Sequence, residues 1–454
     1  MHSFISRSIP DSSHPVDLPA DKLLCETAVV MVVSEHPQPA SGGPLGLCYK
    51  LLEALCNSSR FANTALYCLS AAEPKCYRIR SVEDLRCFAQ PASQNVSMLS
   101  RLRSSALSME RGRYRAQRNG MQLLRAASES KQIRRLRPLL DSLMSSHRAV
   151  VFHAHTATVA FKIVRAFGHN SDERRWRLLI TDHSKGGALS EYIELLGPSA
   201  IHDWNYRLVA RQTKLAVEAA DVVAFPSQGA RELWQNRNSE LAKAILAKSA
   251  ILYNGVARPK DGNWKPPEDS HVKLFAIAQH VPEKGLDRLI AAVAGLRGIL
   301  TGRRISLRIA GGFTRVTPEL DALRARLGLE NQVAFLGRIN HDDVLQEIAE
   351  ADIFVAFPRV VVFDLALLEA MALGKPIVTN ALRGNIEALG KTYPLFANDE
   401  TEFAEKIARC STDSALSHRA ARRNKRRYER LFTSDAMARR HCDLYSALTR
   451  EILS

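Results

Sequence analysis

Two charged residues stand out by their surroundings. Lys284 lies in a loop, Val281-Pro282-Glu283-Lys284-Gly285-Leu286, directly after an apolar run. Glu369 lies in a stretch that otherwise reads Leu365, Leu367, Leu368, Met371. A lysine after a strand supplies a point charge for an anion such as a diphosphate. A carboxylate on an apolar helix is unusual unless it is paired or liganded. Gly311 and Gly312 end another apolar run, where glycines let a backbone approach phosphate oxygens closely. The first half of the chain holds a second set: Gly42-Gly43, His153-Ala154-His155, and Asp182-His183 followed by Lys185. The last three residues suit acceptor hydroxyls or an acceptor phosphate. His153 is placed with them as a further acceptor candidate.

These groups sit where elements change. Short apolar runs at 27–33, 149–152, 178–181, 222–226 and 251–253 read as strands, with helical patterns between them. A proline- and charge-rich segment at 259–269 reads as a linker. Beyond it, runs at 272–278, 305–310, 332–336, 353–357 and 376–379 alternate with helices near 285–300, 318–327, 342–351 and 364–373. Such alternation predicts an α/β fold with parallel sheets. The expected organisation is two Rossmann-like, doubly wound domains, 1–258 and 259–413, with basic helices at 414–454 that return to the first domain. In such sheets ligands bind at the carboxyl ends of the strands, so the expected site is a central cleft between the domains. Residues 1–25 read as a polar lead-in, and 101–137 as a basic stretch with eleven basic residues against two acidic ones.

Composition narrows the partners. The 454 residues carry 63 lysines and arginines against 47 aspartates and glutamates, a formal charge of +16. That excess favours anionic partners. The basic stretch suggests an anionic membrane surface, because each residue near such a surface contributes about 1 kcal/mol. It lacks interleaved aromatics, so no specific nucleic acid is expected. No apolar run reaches the ~18 residues of a membrane span, and the first twenty residues lack the order of a secretory signal. The expected location is cytoplasmic, peripheral at the inner face of the membrane. The eight cysteines form no C-x-x-C pair and read as reduced thiols, with no metal site.

The second series resembles glycosyltransferase family 4, the retaining nucleotide-sugar transferases of the GT-B fold. The likeness rests on an ordered set: the Lys284 loop, Ile309-Ala310-Gly311-Gly312, Val333-Ala334-Phe335-Leu336-Gly337, Ala351-Asp352-Ile353-Phe354-Val355, Leu367-Leu368-Glu369-Ala370-Met371-Ala372, Gly374-Lys375-Pro376, and Gly384-Asn385-Ile386-Glu387. It implies a nucleotide-sugar substrate (UDP-, GDP- or ADP-linked) and no required cofactor or metal. Lys284, Gly311, Gly312, Arg338, Leu367, Leu368 and Glu369 would form the donor site, with Gly42 and Gly43 approaching the diphosphate and Glu369 accepting the ribose hydroxyls. His155 would lie near the donor sugar. The acceptor would be a glycan or a lipid-linked or other envelope molecule.

Three positions depart from that pattern. Val361 stands where the family has a second glutamate, Asp364 replaces a glycine, and Gln279 replaces an arginine. Asp364 is a candidate for the missing sugar carboxylate, or a helix N-cap. Arg359 and Arg338 are candidates for the missing cation. Rival readings are an epimerase or glucan synthase of the same fold, and a degenerate transferase acting as a scaffold or partner subunit.

Overall fold

The computed structural model describes residues 27–34, 43–61, 64–71, 75–89, 122–167, 174–184, 186–235, 239–259 and 270–453. It divides into two compact units. The first is Met1–Tyr253 with Met437–Ser454, and the second is Asn254–Ala436.

The first unit is a seven-stranded sheet in the order β3-β2-β1-β4-β5-β6-β7. Its strands are β1 (Thr27–Val33), β2 (Ala65–Ser70), β3 (Lys75–Ile79), β4 (Ala149–Ala154), β5 (Trp176–Thr181), β6 (Val222–Phe225) and β7 (Ser249–Ile251). Every residue of β1 and β4 is buried, as expected for parallel strands covered on both faces. β2 and β3, absent from the sequence reading, form the edge, and β3 is antiparallel. The core includes Met437, Ala438, Cys442, Tyr445 and Leu448 from the last helix together with Leu51, Leu52 and Val151.

The second unit is a six-stranded parallel sheet, β10-β9-β8-β11-β12-β13. Its strands are β8 (His271–Ile277), β9 (Arg304–Ala310), β10 (Val333–Gly337), β11 (Ile353–Ala356), β12 (Ile377–Asn380) and β13 (Phe396–Ala397). Counted within the unit, this is the doubly wound order 3-2-1-4-5-6. Chain direction across the sheet reverses at β8, so the crevice lies between the carboxyl ends of β8 and β11.

The unit boundaries differ from those read in the sequence. Residues from Asn254 onward and the whole of the basic helix Ser414–Leu431 belong to the second unit. The reason is hydrogen bonding. Val256 N–H donates to Phe432 O at 3.0 Å, Ser434 N–H to Val256 O at 3.0 Å, and Tyr428 hydroxyl to Val256 O at 3.1 Å. The basic run is partly structural too. Arg427 donates to Glu387 O and Ala388 O, at the end of helix Arg383–Leu389, where a cation meets the negative end of the helix dipole. Lys375 does the same for helix His341–Glu350, reaching Ala349 O at 2.6 Å and Ala351 O at 2.7 Å. Burial brings its ammonium down to about 8.

Two glycines illustrate what the loops require. A Cβ at Gly311 would sit 1.9 Å from Ala278 O, whereas one at Gly295, inside helix Leu286–Ile299, would meet only Ala404 Cβ at 3.6 Å. Gly295→Ala should therefore stabilise the chain by about 0.5–1 kcal/mol. Gly311→Ala should destabilise it by about 3 kcal/mol. Urea unfolding of both variants checks the contrast, and equal effects would contradict it.

Candidate functional site

At the switch point of the second unit, two loops meet. The loop after β8 forms a single turn, Pro282–Lys284, ended by Gly285 in the left-handed region at φ 62°. A Cβ there would lie 2.1 Å from Phe357 O, so only glycine permits this packing. The loop after β11 is bound to it directly. Arg359 N–H donates to Glu283 O at 2.8 Å, and the Arg359 guanidinium forms a bidentate pair with Asp287 at 2.7 and 2.6 Å. This pair holds the Asp287 carboxyl below the usual range, chiefly through the hydrogen bond. On the other side, Asn380 Nδ2 donates to Pro358 O at 2.6 Å.

Between these loops lies a small pocket lined by Ala276, Ala278, Lys284, Phe357, Pro358 and Asp364. The Lys284 side chain is half-buried, and no ion pair or hydrogen bond from another described residue holds its ammonium. Asp364 is the N-cap of helix Leu365–Ala372, its Oδ1 accepting from Ala366 N–H at 3.1 Å. The cap alternative is thus what the geometry displays. Val361 packs with Cγ1 3.4 Å from the Cβ position of Gly384. Leu367 and Leu368 are core residues at 1% and 0% exposure, so it is their backbone that is placed to meet a ligand. Glu369, by contrast, is buried on the same helix and accepts from His341 Nε2 at 2.9 Å. Gly311 N–H donates to Gly337 O at 2.8 Å, and the exposed Arg338 side chain passes 3.7 Å from the Cβ position of Gly312.

In the first unit the ends of β4 and β5 carry a histidine cluster. His153 is fully buried, with Nδ1 2.7 Å from Tyr445 hydroxyl and Nε2 2.7 Å from Thr181 Oγ1. Both ring nitrogens are occupied, so its placement as an acceptor ligand is corrected: it is part of the core. His155 stacks on it at 4.4 Å, with Nδ1 2.9 Å from His183 Nε2 and Nε2 against Met31 Sδ at 2.8 Å. His183 is half-buried, and His441 of the last helix stacks on His153 at 5.7 Å. Asp182 organises its own loop. Its Oδ1 accepts from Ser184 N–H at 3.0 Å, and its Oδ2 from Trp234 Nε1 at 2.8 Å. That is a structural task for the half-buried carboxylate. Gly43 starts helix Gly43–Cys56. Gly42, Lys185 and residues 101–121 of the basic stretch lie outside the described residues.

Some partners had no signal in the sequence. His341 lies 28 residues from Glu369, and Tyr445 lies 292 residues from His153. Only the sheet order brings them together. Among the described residues, no group of three or more histidines, cysteines, aspartates or glutamates is arranged to hold a metal, and no helix is long and apolar enough to cross a membrane.

Residues 271–413 match the family model of the group 1 glycosyl transferases. Among curated relatives, a glycogen synthase of Mycobacterium tuberculosis is 28% identical over 219 residues, 47% of this chain and 51% of that protein. A D-inositol 3-phosphate glycosyltransferase of Streptomyces avermitilis is 29% identical over 251 residues, 51% and 53% of the two chains. The chain spans about half the length of the curated relatives it matches. Among solved structures, a sucrose-phosphate synthase from Thermosynechococcus elongatus superposes with a TM-score of 0.64 at 16% identity, covering 94% of this chain and all of that one. Anabaena Alr3699/HepE, in complex with UDP and glucose, gives 0.60 at 17% identity over 92% and 99%. The fold is GT-B, as the resemblance implied.

The histidine cluster has a pH consequence. Burial, and then the neighbouring imidazoles, keep His153 and His155 well below the ordinary range and bring His183 to about 4; burial brings His441 to about 4. The unfolded chain, with histidines near 6.5, binds protons that the folded chain refuses. Stability should therefore be fully present above about pH 6.5 and fall as the pH drops toward about 4. His441 alone contributes up to about 3 kcal/mol of this fall. Denaturant unfolding at pH 7 and pH 5 should show a loss that shrinks in His441→Leu; an unchanged pH dependence would contradict the assignment.

Proposed function

We propose that the chain is a glycosyltransferase taking a sugar from a nucleotide-diphosphate donor held in the second unit. The observation that carries this reading is the pocket at the β8/β11 switch point. Its lining includes the unengaged Lys284 and Asp364, the N-cap of helix Leu365–Ala372; Glu369 is buried further along that helix, outside the lining. Lys284 would neutralise the diphosphate, and the first-turn amides of helix Leu365–Ala372 would meet its oxygens. Glu369 would accept the ribose hydroxyls, a bidentate task suited to a carboxylate. Gly311 and Gly312 would bring backbone close to the nucleotide, and Arg338 would supply a second cation.

In this reading the donor breaks at the bond between the sugar and the leaving diphosphate. The centre that forms is oxocarbenium-like, and the protein acts by holding charge and geometry. Retention at the anomeric carbon would follow from the leaving phosphate accepting the proton of the incoming hydroxyl on the same face. His155 and His183, at the strand ends of the first unit, would face the sugar and the acceptor. The acceptor would be a glycan, or a lipid-linked or other envelope molecule.

The test is a calorimetric screen of UDP, GDP and ADP, followed by transfer assays with the matching sugars. Lys284→Ala and Glu369→Ala should each weaken diphosphate binding by about 1–3 kcal/mol. Unchanged binding in both, with folding intact, would overturn the reading. Asp364→Asn keeps a capping oxygen and removes the charge. Loss of transfer in that variant supports a sugar contact, and full transfer leaves Asp364 as a cap only. Binding without transfer in the unaltered chain would favour a partner or scaffold role.

A lipid-linked acceptor would place the protein at an anionic membrane face through the basic stretch 101–137. Vesicle sedimentation should then require anionic lipid and weaken with salt. Recovery in the supernatant with both neutral and anionic vesicles would point to a soluble acceptor.

A further inference from the structure

We infer that His341 is a positioning residue for Glu369, fixing the carboxylate in the orientation that receives the ribose of a nucleotide. This rests on the nucleotide reading above and adds to it a residue that sits on a different element.

The argument starts from burial. Every residue from Ala366 to Ala372 is buried, and Glu369 is 6% exposed among them. A carboxylate so placed is strongly disfavoured without a donor. His341 supplies one, with Nε2–H donating to Glu369 Oε1 at 2.9 Å. The histidine is held in turn. It is the first residue of helix His341–Glu350, whose N-cap Asn340 accepts from Asp343 N–H at 2.9 Å. The His341 side chain is 45% exposed, so its ring spans from a buried acceptor to the surface.

The chemistry favours positioning over competition. An ionised carboxylate has about four acceptor directions. One bond from an imidazole occupies one of them and restricts the side-chain rotamer. In a neutral ring the bond to a carboxylate places the proton on Nε2. The loop from β10 that carries His341 also carries Arg338, which passes over Gly312. One strand end thus presents both a cation and the residue that sets the ribose carboxylate.

The test compares the unaltered chain, His341→Ala and His341→Gln by calorimetry. The ligands are UDP, GDP and ADP, and the 2′,3′-dideoxy form of whichever binds. His341→Ala should weaken the ribonucleotide about tenfold, as for loss of one hydrogen bond to a charged group. His341→Gln, which keeps a donor, should recover most of that. The dideoxy nucleotide should bind the unaltered chain and His341→Ala equally. A purely structural role would lower the melting temperature and weaken both ligands alike, and that result would overturn the inference. So would unchanged or tighter ribonucleotide binding in His341→Ala. If the unaltered chain binds none of the three diphosphates, the nucleotide reading fails, and the positioning role falls with it.

Discussion

The contact of the β8 loop with the end of β11 is the constraint on which the second unit's site depends. Gly285 lets the Pro282–Lys284 turn press against Phe357 O, at a distance no side chain allows. Arg359 then closes the loops from the far side, through Asp287, Pro282 O and Glu283 O. None of these groups needs to touch a ligand. Their effect is to hold Lys284 and Asp364 in the lining of one pocket. Because the guanidinium is bidentate, the geometry is fixed in direction as well as distance. An exposed ion pair contributes little to stability by itself, so its value here is mainly the placement of the lysine.

The two units solve the problem of polar groups at strand ends differently. In the second, charges are retained and each buried one is answered: Glu369 by His341, Lys375 by two helix carbonyls. In the first, the groups are imidazoles, and burial keeps them neutral. A neutral imidazole can donate from one nitrogen and accept at the other. A chain of them can therefore occupy a core without a counter-ion, as His153 does between Tyr445 and Thr181. The last helix is thereby tied to the strand ends of the first unit, although it follows the whole second unit in sequence.

Much of this was legible in the chain because strand ends are marked by residue type. Glycines at 311–312, the lysine turn at 284 and the acidic residue in an apolar helix at 369 all fell at the switch-point edge. What was not legible depends on packing between distant elements. Asp182 and His153 look like ligand groups in a linear reading, yet each is satisfied by partners from other elements: Trp234 for one, Tyr445 for the other. Leu367 and Leu368 belong to the motif, but their side chains serve the core. The antiparallel β2–β3 edge lacks a strong alternating pattern. The boundary at residue 254 depends on hydrogen bonds to residues 428–434 that no local signal announces.

The departures from the resembled pattern can be weighed as charges. Relative to the resembled pattern, Gln279 in place of an arginine and Asp364 in place of a glycine each lower the local charge by one, while Val361 in place of a glutamate raises it by one. The net change is one negative charge, but the distribution changes more than the sum. The acidic group moves three residues toward the helix start, where it caps Ala366 N–H and lies at the positive end of the helix dipole. There it offsets part of the field an incoming anion would feel, which places more of the burden on Lys284. At the position of the second glutamate in the resembled pattern, Val361 Cγ1 lies 3.4 Å from where a Cβ at Gly384 would stand, space that a longer carboxylate side chain would contest.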